Sequence, residues 1–413
     1  MNAYHVLTVL VCLSALFAYL NQRFLKLPFV IGLFVLSTLL SLLVVSSKVW
    51  FPLSTEALKL TIQDLHIDQV ILKGMLGFLL FAGALHTDWQ DLRRQIHPIA
   101  VFAIGGVLLS TILIALFFKA ATQLFHLEID IIYCFLFGAL ISPTDPIAVL
   151  GILTKANVPK KTESIIVGES LFNDGVGVVV FIALLQTQET HVFSFGGFAL
   201  LFLEEAVGGI AIGLAIGYLL HLLLKSIDHY ESEILLTLAF VMAGYSISNS
   251  LHLSGALAMV VMGLMVGNFR QHIAMSDATQ EYVHKFWELV DVILNAILFI
   301  LIAFVLLVID FSTSLVVLGC IGVLLVILVR FFVVFLPHWT LPRLLRLGKD
   351  DAKLISWGGL RGGLSLALVL SLPNSPAKEL LLITTYLCVL FSITVQGLTI
   401  GGLAKKIAGK SGS

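Results

Sequence analysis

Charge is what this sequence has least of. Of 413 residues only 12% are Asp, Glu, Lys or Arg, against 59% hydrophobic, roughly half the charged share of about 25% in soluble domains. So little polar side chain excludes a water-soluble globular fold. Basic clusters are absent and the formal net charge is −1, which excludes nucleic acid as a partner. Cysteine is sparse: Cys12, Cys134, Cys320 and Cys388 all fall inside apolar runs with no CxxC pair. Packing, rather than metal or redox chemistry, is expected of them. The chain has no HExxH and no GxSxG, the signatures an intramembrane hydrolase would carry. It also has no ring motif of carbonyls or charges such as lines a channel pore.

What it has in abundance is apolar runs near the roughly 20 residues that span a bilayer. They fall at about 4–20, 28–47, 68–86, 97–118, 130–152, 164–187, 200–223, 233–250, 253–268, 287–309, 312–336, 353–372 and 378–404. The predicted fold class is therefore an all-α polytopic membrane protein of about 13 transmembrane helices, its partner the lipid bilayer. The first run lacks a basic leader and a small-residue cleavage site before Asn21, so it reads as a mature helix and not a signal peptide.

Alternate loops carry the basic residues. One set holds Arg23, Lys26, Arg93, Arg94, Lys155, Lys160, Lys161, Lys225, Arg270, Lys285, Arg343, Arg346, Lys349, Lys353, Lys405, Lys406 and Lys410; the other holds only Lys48, Lys59, Lys119 and Lys378. Positive residues favour the cytoplasmic side. The N-terminus is thus expected outside and the C-terminus inside, in the plasma (inner) membrane.

Two spans are interrupted. The fifth carries Ser142-Pro143-Thr144-Asp145-Pro146, where two prolines remove backbone donors and unwind the helix. The twelfth carries Gly358-Gly359-Leu360-Arg361-Gly362-Gly363, where glycine permits an unwound backbone and close crossing. They lie seven helices apart, an odd offset that inverts one copy of a unit relative to the other. Two inverted six-helix repeats with two crossed discontinuous helices follow, a pattern that points to a midplane site. The expected division is 1–187 as first repeat, 188–232 as linker helix region, 233–404 as second repeat and 405–413 as a short cytoplasmic tail.

The sixth span places Glu169 and Asp174 in an otherwise uncharged run, Gly168-Glu169-Ser170-Leu171-Phe172-Asn173-Asp174-Gly175. Charges at membrane depth are costly and functional by default. Asp174 and Ser170, four apart, share a helix face, and Glu169 points elsewhere. Arginine stays charged, so Arg330 and Arg361 each need a partner. Glu169 is assigned to Arg330 as a structural ion pair, and Arg361 to Asp145 or to half-helix carbonyls; Lys73 can snorkel to the interface.

Three core carboxylates against two arginines leave one negative charge, which one monovalent cation or one proton neutralises. A bare carboxylate is disfavoured away from water, so cation and proton contend for Asp174, and one-for-one electroneutral exchange is expected. Asn173 cannot titrate. Asp291 and Glu288 are expected to reach from the start of the tenth span into the interface. Glu204 and Glu205 are expected to open the seventh span near the outer surface, and His86 and His252 to sit at span ends. Asn295 is left either to bond across helices or to approach the site.

These motifs, together with Phe286-Trp287-Glu288-Leu289 and Ile297-Leu298-Phe299, resemble in order and spacing the NhaP and NHE branch of monovalent cation/proton antiporters over nearly the whole chain. The resemblance implies a secondary active antiporter exchanging Na⁺, or Li⁺, for H⁺ by elevator-like alternating access, with K⁺/H⁺ or mixed-cation exchange as the alternative. It implies no enzyme activity, a homodimer, and no cofactor beyond the transported ions. By residue, Asp174 resembles the ion-binding aspartate and Asn173 the preceding asparagine of electroneutral members. Ser170 and the backbone at Thr144, beside Asp145, resemble the remaining ligands. Where many relatives read Phe-Glu-Gly in the third helix, this chain reads Phe81-Ala82-Gly83, so one carboxylate of the site or its access path is expected to be missing. The long regulatory tail of the animal exchangers is not expected.

Overall fold

The computed structural model describes residues 3–47, 59, 62, 65–145, 147–156, 158–190, 194–268, 277–309 and 312–411. Pro146, Lys48 and Arg270 lie outside the described residues, as do the side chains of Lys155 and Lys410. The described residues form thirteen spans without strands. They are α1 (Ala3–Leu20), α2 (Phe29–Ser47), α3 (Ile67–Leu85), α4 (Ile96–Leu124), α5a (Ile131–Ile141) with α5b (Ile147–Lys155), α6 (Lys160–Thr190) and α7 (Phe195–Lys225). The second half contains α8 (Tyr230–Ser250), α9 (Gly255–Asn268), α10 (Asp277–Phe304), α11 (Thr313–Thr340), α12a (Lys349–Trp357) with α12b (Gly363–Leu370), and α13 (Pro376–Ala408). Each sequence-predicted run has its helix, and the two predicted interruptions are the two breaks.

Polarity is arranged for lipid and not for water. Large apolar side chains such as Leu43, Phe117, Leu214 and Leu328 are exposed, while Ser142, Thr144, Glu169, Asn173, Asn295, Arg330 and Arg361 are buried. With no hydrophobic drive between helices in a bilayer, close packing and interior hydrogen bonds hold the bundle. α9 shows the packing clearly: a methyl group at Gly263 would stand 2.6 Å from the Phe81 carbonyl oxygen, so α9 lies backbone to backbone on α3.

The helix pairings recur when each helix of one half is exchanged for the one seven places away in the other. α1 packs on α2 and α8 on α9; α4 on α5a and α11 on α12a; α4 on α6 and α11 on α13; α2 on α10 and α9 on α3. α4 also meets α11. Among the nine longest apolar spans α6 and α13 are the most enclosed, each 72% buried, against 17% for α1.

Two sequence expectations fail on helix starts. α10 begins at Asp277, not near 287, so Glu288 and Asp291 lie three to four turns inside the helix instead of at its mouth. α7 begins at Phe195, so Glu204 and Glu205 sit in its third turn, and Glu205 is buried. In both cases a polar or glycine-rich first stretch reads as loop until tertiary contacts hold it helical.

Candidate functional site

The two unwound segments cross and bond to each other. The Asp145 backbone N–H donates to the Leu360 carbonyl at 2.8 Å. Arg361 Nη1 donates to the carbonyls of Ser142 and of Pro143, the latter at 2.8 Å, so the guanidinium caps the C-terminal end of α5a. Of the two partners anticipated for Arg361, the half-helix carbonyls are the ones it bonds. The Asp145 side chain lies against Gly362, the residue that precedes α12b, where an added Cβ would overlap the carboxylate. A cation thus faces the negative end of one half-helix and an anion the positive end of the other.

The broken α12 backbone has further support that sequence reasoning missed. The Arg361 N–H donates to Ser392 Oγ at 2.9 Å, and Ser392 Oγ donates to Gln396 Oε1 at 2.7 Å. Gln396 Nε2 reaches back to the Trp357 carbonyl at 3.4 Å. A serine and a glutamine one turn apart in the otherwise apolar last span were the available signal.

α6 supplies the other wall. Asn173 Nδ2 donates to Thr144 Oγ1 at 2.9 Å, the Thr144 N–H donates to Asn173 Oδ1 at 3.3 Å, and Ser170 Oγ donates to the Thr144 carbonyl. The Pro143 ring removes one donor from the break, and these side chains satisfy the groups that remain. One turn away on the opposite side, Arg330 of α11 grips Glu169 through both guanidinium nitrogens, at 2.5 and 2.9 Å, and donates to the Ile355 carbonyl at 3.0 Å. Both side chains are buried. A Cβ at Gly359 would stand 2.7 Å from Arg330 Nε, so glycine there makes room for the guanidinium. Lys73 is exposed, as snorkelling requires.

Asp174 stands apart from this ion pair. Its carboxylate is in electrostatic contact with Asp145, and among the described residues it has neither hydrogen bond nor ion pair. It lines a cavity of about 580 Å³ together with Ala82, His86, Thr144, Asp145, Ser170 and Asp291. The mouth carries Asp88, Asp91, Lys160, Glu163 and Glu288, at the end of the bundle where the basic loops lie. A second cavity of about 630 Å³, at the opposite end, is lined by Asp68, Leu370, Lys378, Glu379 and Leu382 and shares no wall residue with the first. Asp174 lines the first of these cavities and not the second.

The acidic residues anticipated at the interface behave differently from expectation. Glu288 and Asp291 both line the Asp174 cavity. Asn295 bonds within its own helix, donating to the Asp291 carbonyl at 2.9 Å and to Asp291 Oδ1 at 3.0 Å, and so stands behind a carboxylate of the cavity wall. His86, at the end of α3, is likewise a wall of the cavity, its Nδ1 held 2.7 Å from the Ala82 carbonyl.

Chemically the site gathers oxygens at the cavity wall: the Asp174 carboxylate beside that of Asp145, the Ser170 hydroxyl and the Thr144 carbonyl. That set suits a hard monovalent cation or a proton.

Comparison with known proteins agrees. The chain is 44% identical over 406 residues to a Na⁺/H⁺ antiporter, NhaP, of Pseudomonas aeruginosa, covering 96% of this chain and 95% of that protein. It is 34% identical over 362 residues to a Na⁺/H⁺ antiporter, NhaH, of Halobacillus dabanensis, covering 86% and 87%. Its fold matches the sodium proton antiporter MjNhaP1 of Methanocaldococcus jannaschii, solved at pH 8, with a TM-score of 0.75 at 20% identity over 98% of this chain and 99% of that one. Residues 12–406 match the family described as sodium/hydrogen exchanger, transmembrane. The chain belongs to that family of transporters.

Proposed function

We propose that this protein is a secondary active antiporter that exchanges Na⁺ for H⁺ one for one, with Asp174 as the shared binding group. The observation that carries the reading is the Asp174 carboxylate itself, unpaired among the described residues yet beside Ser170, Thr144 and Asp145 in the wall of one cavity. A bare anion at that depth is costly, and either a proton or a cation removes the cost. Na⁺ in place of another alkali ion is supported by the names of the relatives, which are Na⁺/H⁺ antiporters.

The cation would be held by the Asp174 carboxylate, Ser170 Oγ and the Thr144 carbonyl, with water filling the space that Ala82 leaves. Asn173 positions Thr144 and adds no titratable group. Glu169 with Arg330, and Arg361 on its carbonyls, act as structure. The travelling part then carries one negative charge to be neutralised, which supports electroneutral turnover without any cofactor.

The pairing of helices supports two bodies, α4–α6 with α11–α13 and α1–α3 with α8–α10, joined through α7. Repeats over 1–187 and 233–404 with a linker at 188–232 fit that division. A movement of the first body against the second would close the present cavity and open the site toward the other one, an elevator-type step. The excess of basic residues in one set of loops supports a cytoplasmic side for the cavity in a plasma membrane, with the N-terminus outside and the 405–413 tail inside; a homodimer is the assembly that the family resemblance implies.

The test uses proteoliposomes with a trapped pH dye, given Na⁺, Li⁺ or K⁺, with and without a valinomycin clamp of the potential. Wild type is expected to show Na⁺-dependent proton flux that ignores the clamp, and Asp174→Asn to show none. Because both ions compete for one carboxylate, the apparent KM for Na⁺ should fall as pH rises until the proton no longer competes. Flux that persists in Asp174→Asn, or that follows the clamp, would defeat the reading.

A further inference from the structure

We propose that Asp291 is a second cation-binding carboxylate of the cavity, a staging position that holds a hydrated monovalent cation before it reaches Asp174. The inference rests on the exchange reading above and adds a residue that the reading does not use.

Three observations lead to it. First, Glu288, Asp291 and Leu298 of α10 all line the cavity. Steps of three and seven put them on one helix face, and their order runs from the mouth toward the crossing. Asp291 is therefore the deeper of the two acceptors on that wall. The neighbouring wall, α3, contributes Leu79, Leu80, Ala82 and Gly83, none of which has a side-chain oxygen.

Second, Asp291 shares the cavity wall with the carboxylates of Asp145 and Glu288 and with the His86 imidazole. Among the described residues no lysine or arginine pairs with it, unlike Glu169. A carboxylate kept deep in a membrane helix beside two other carboxylates is costly unless a mobile cation or proton accompanies it.

Third, Asn295 is only 2% exposed and gives its Nδ2 to the Asp291 carboxylate and backbone, yet its own Oδ1 has no hydrogen-bond partner. Donation from this buried amide fixes the Asp291 carboxylate in place at the cavity wall.

The division of labour follows from where the two aspartates are mounted. Asp174 is on α6, next to the hydroxyl and carbonyl that can strip the ion of water, whereas Asp291 is on α10, which packs on α2 and α3. If α6 moves relative to α10, Asp291 cannot travel with the ion. It raises cation occupancy on the cavity side alone, so its removal should change apparent affinity there and not on the other face.

The experiment compares Na⁺-driven proton flux in everted vesicles, which turn the cytoplasmic face to the bath, and in right-side-out vesicles. Wild type, Asp291→Asn, Asp291→Glu and Asp174→Asn are measured in each. Focusing of cations by a charged cleft is worth about tenfold or more. Asp291→Asn is expected to raise the apparent KM for Na⁺ about tenfold in everted vesicles, with a much smaller change in maximal rate, and Asp291→Glu to restore it. Right-side-out vesicles should give the wild-type KM. Added choline chloride should raise the KM of wild type more than that of Asp291→Asn, since screening weakens a charge only where one is present. An unchanged KM in everted vesicles, or an equal rise on both faces, with wild type active and Asp174→Asn inactive, would overturn the role of Asp291 and leave the exchange reading standing. A folded wild type without Na⁺-dependent proton flux would overturn both.

Discussion

Glu169 and Asp174 are five residues apart on one helix, yet they meet opposite environments. Glu169 is clamped by both arms of Arg330, whereas Asp174 faces water in the cavity. Removing one member of a buried ion pair strands the other, at a cost of about 3–5 kcal/mol. Glu169→Gln should therefore lower the melting temperature of the detergent-solubilised protein severely, and exchange of the two residues, Glu169→Arg with Arg330→Glu, should recover part of it. Recovery no better than either single variant would show that the neighbouring Ile355 carbonyl and Gly359 backbone fix the arginine in one orientation. Asp174→Asn, in contrast, removes no partner and should leave the fold intact while abolishing exchange.

At the scale of the element, the two broken helices exist because other elements satisfy what the breaks expose. Arg361 covers two carbonyls of α5a, Asn173 and Ser170 cover Thr144, and Ser392 covers the Arg361 amide. Irregular backbone at membrane depth is stable only under such cover. Arg361→Met leaves the Ser142 and Pro143 carbonyls bare, and hydrogen bonds to a charged donor are worth about 1.5–3 kcal/mol each. The expected outcome is a loss of thermal stability larger than that from Arg361→Lys, which keeps a donor, and it is read by thermal unfolding in detergent. The breaks themselves were legible in Pro143 and in the glycines around Arg361, because those residues act on their own backbone. Ser392 and Gln396 were not, since nothing local to the last span tells which backbone it will meet.

For the whole molecule, the open question of orientation becomes one of access. Ala82 lines the Asp174 cavity and is otherwise buried. With the native cysteines replaced, Ala82→Cys should react with a membrane-impermeant maleimide in everted vesicles. In right-side-out vesicles it should react far more slowly. Mass spectrometry of the labelled protein reads the outcome, and the reverse preference would invert the assignment of the basic loops to the cytoplasm. The same two-sided design separates Asp291 from Asp174, because only a residue fixed to the cavity wall produces a one-sided effect.

The number of spans, the two interruptions and the intramembrane charges were set by the sequence alone, because each depends on the chain and its solvent: length of apolar run, loss of backbone donors at proline, and the cost of charge in hydrocarbon. Pairing Glu169 with Arg330 was also within reach, since so few charges lie deep in the membrane that the choices were few. Tertiary structure decided the rest. It chose carbonyls over Asp145 for Arg361, extended α10 outward so that Asp291 and Glu288 became walls of the cavity, buried Glu205, and set Asp174 in the wall of that cavity. Those outcomes depend on which helix faces meet across long stretches of sequence, and no local pattern of residues specifies that.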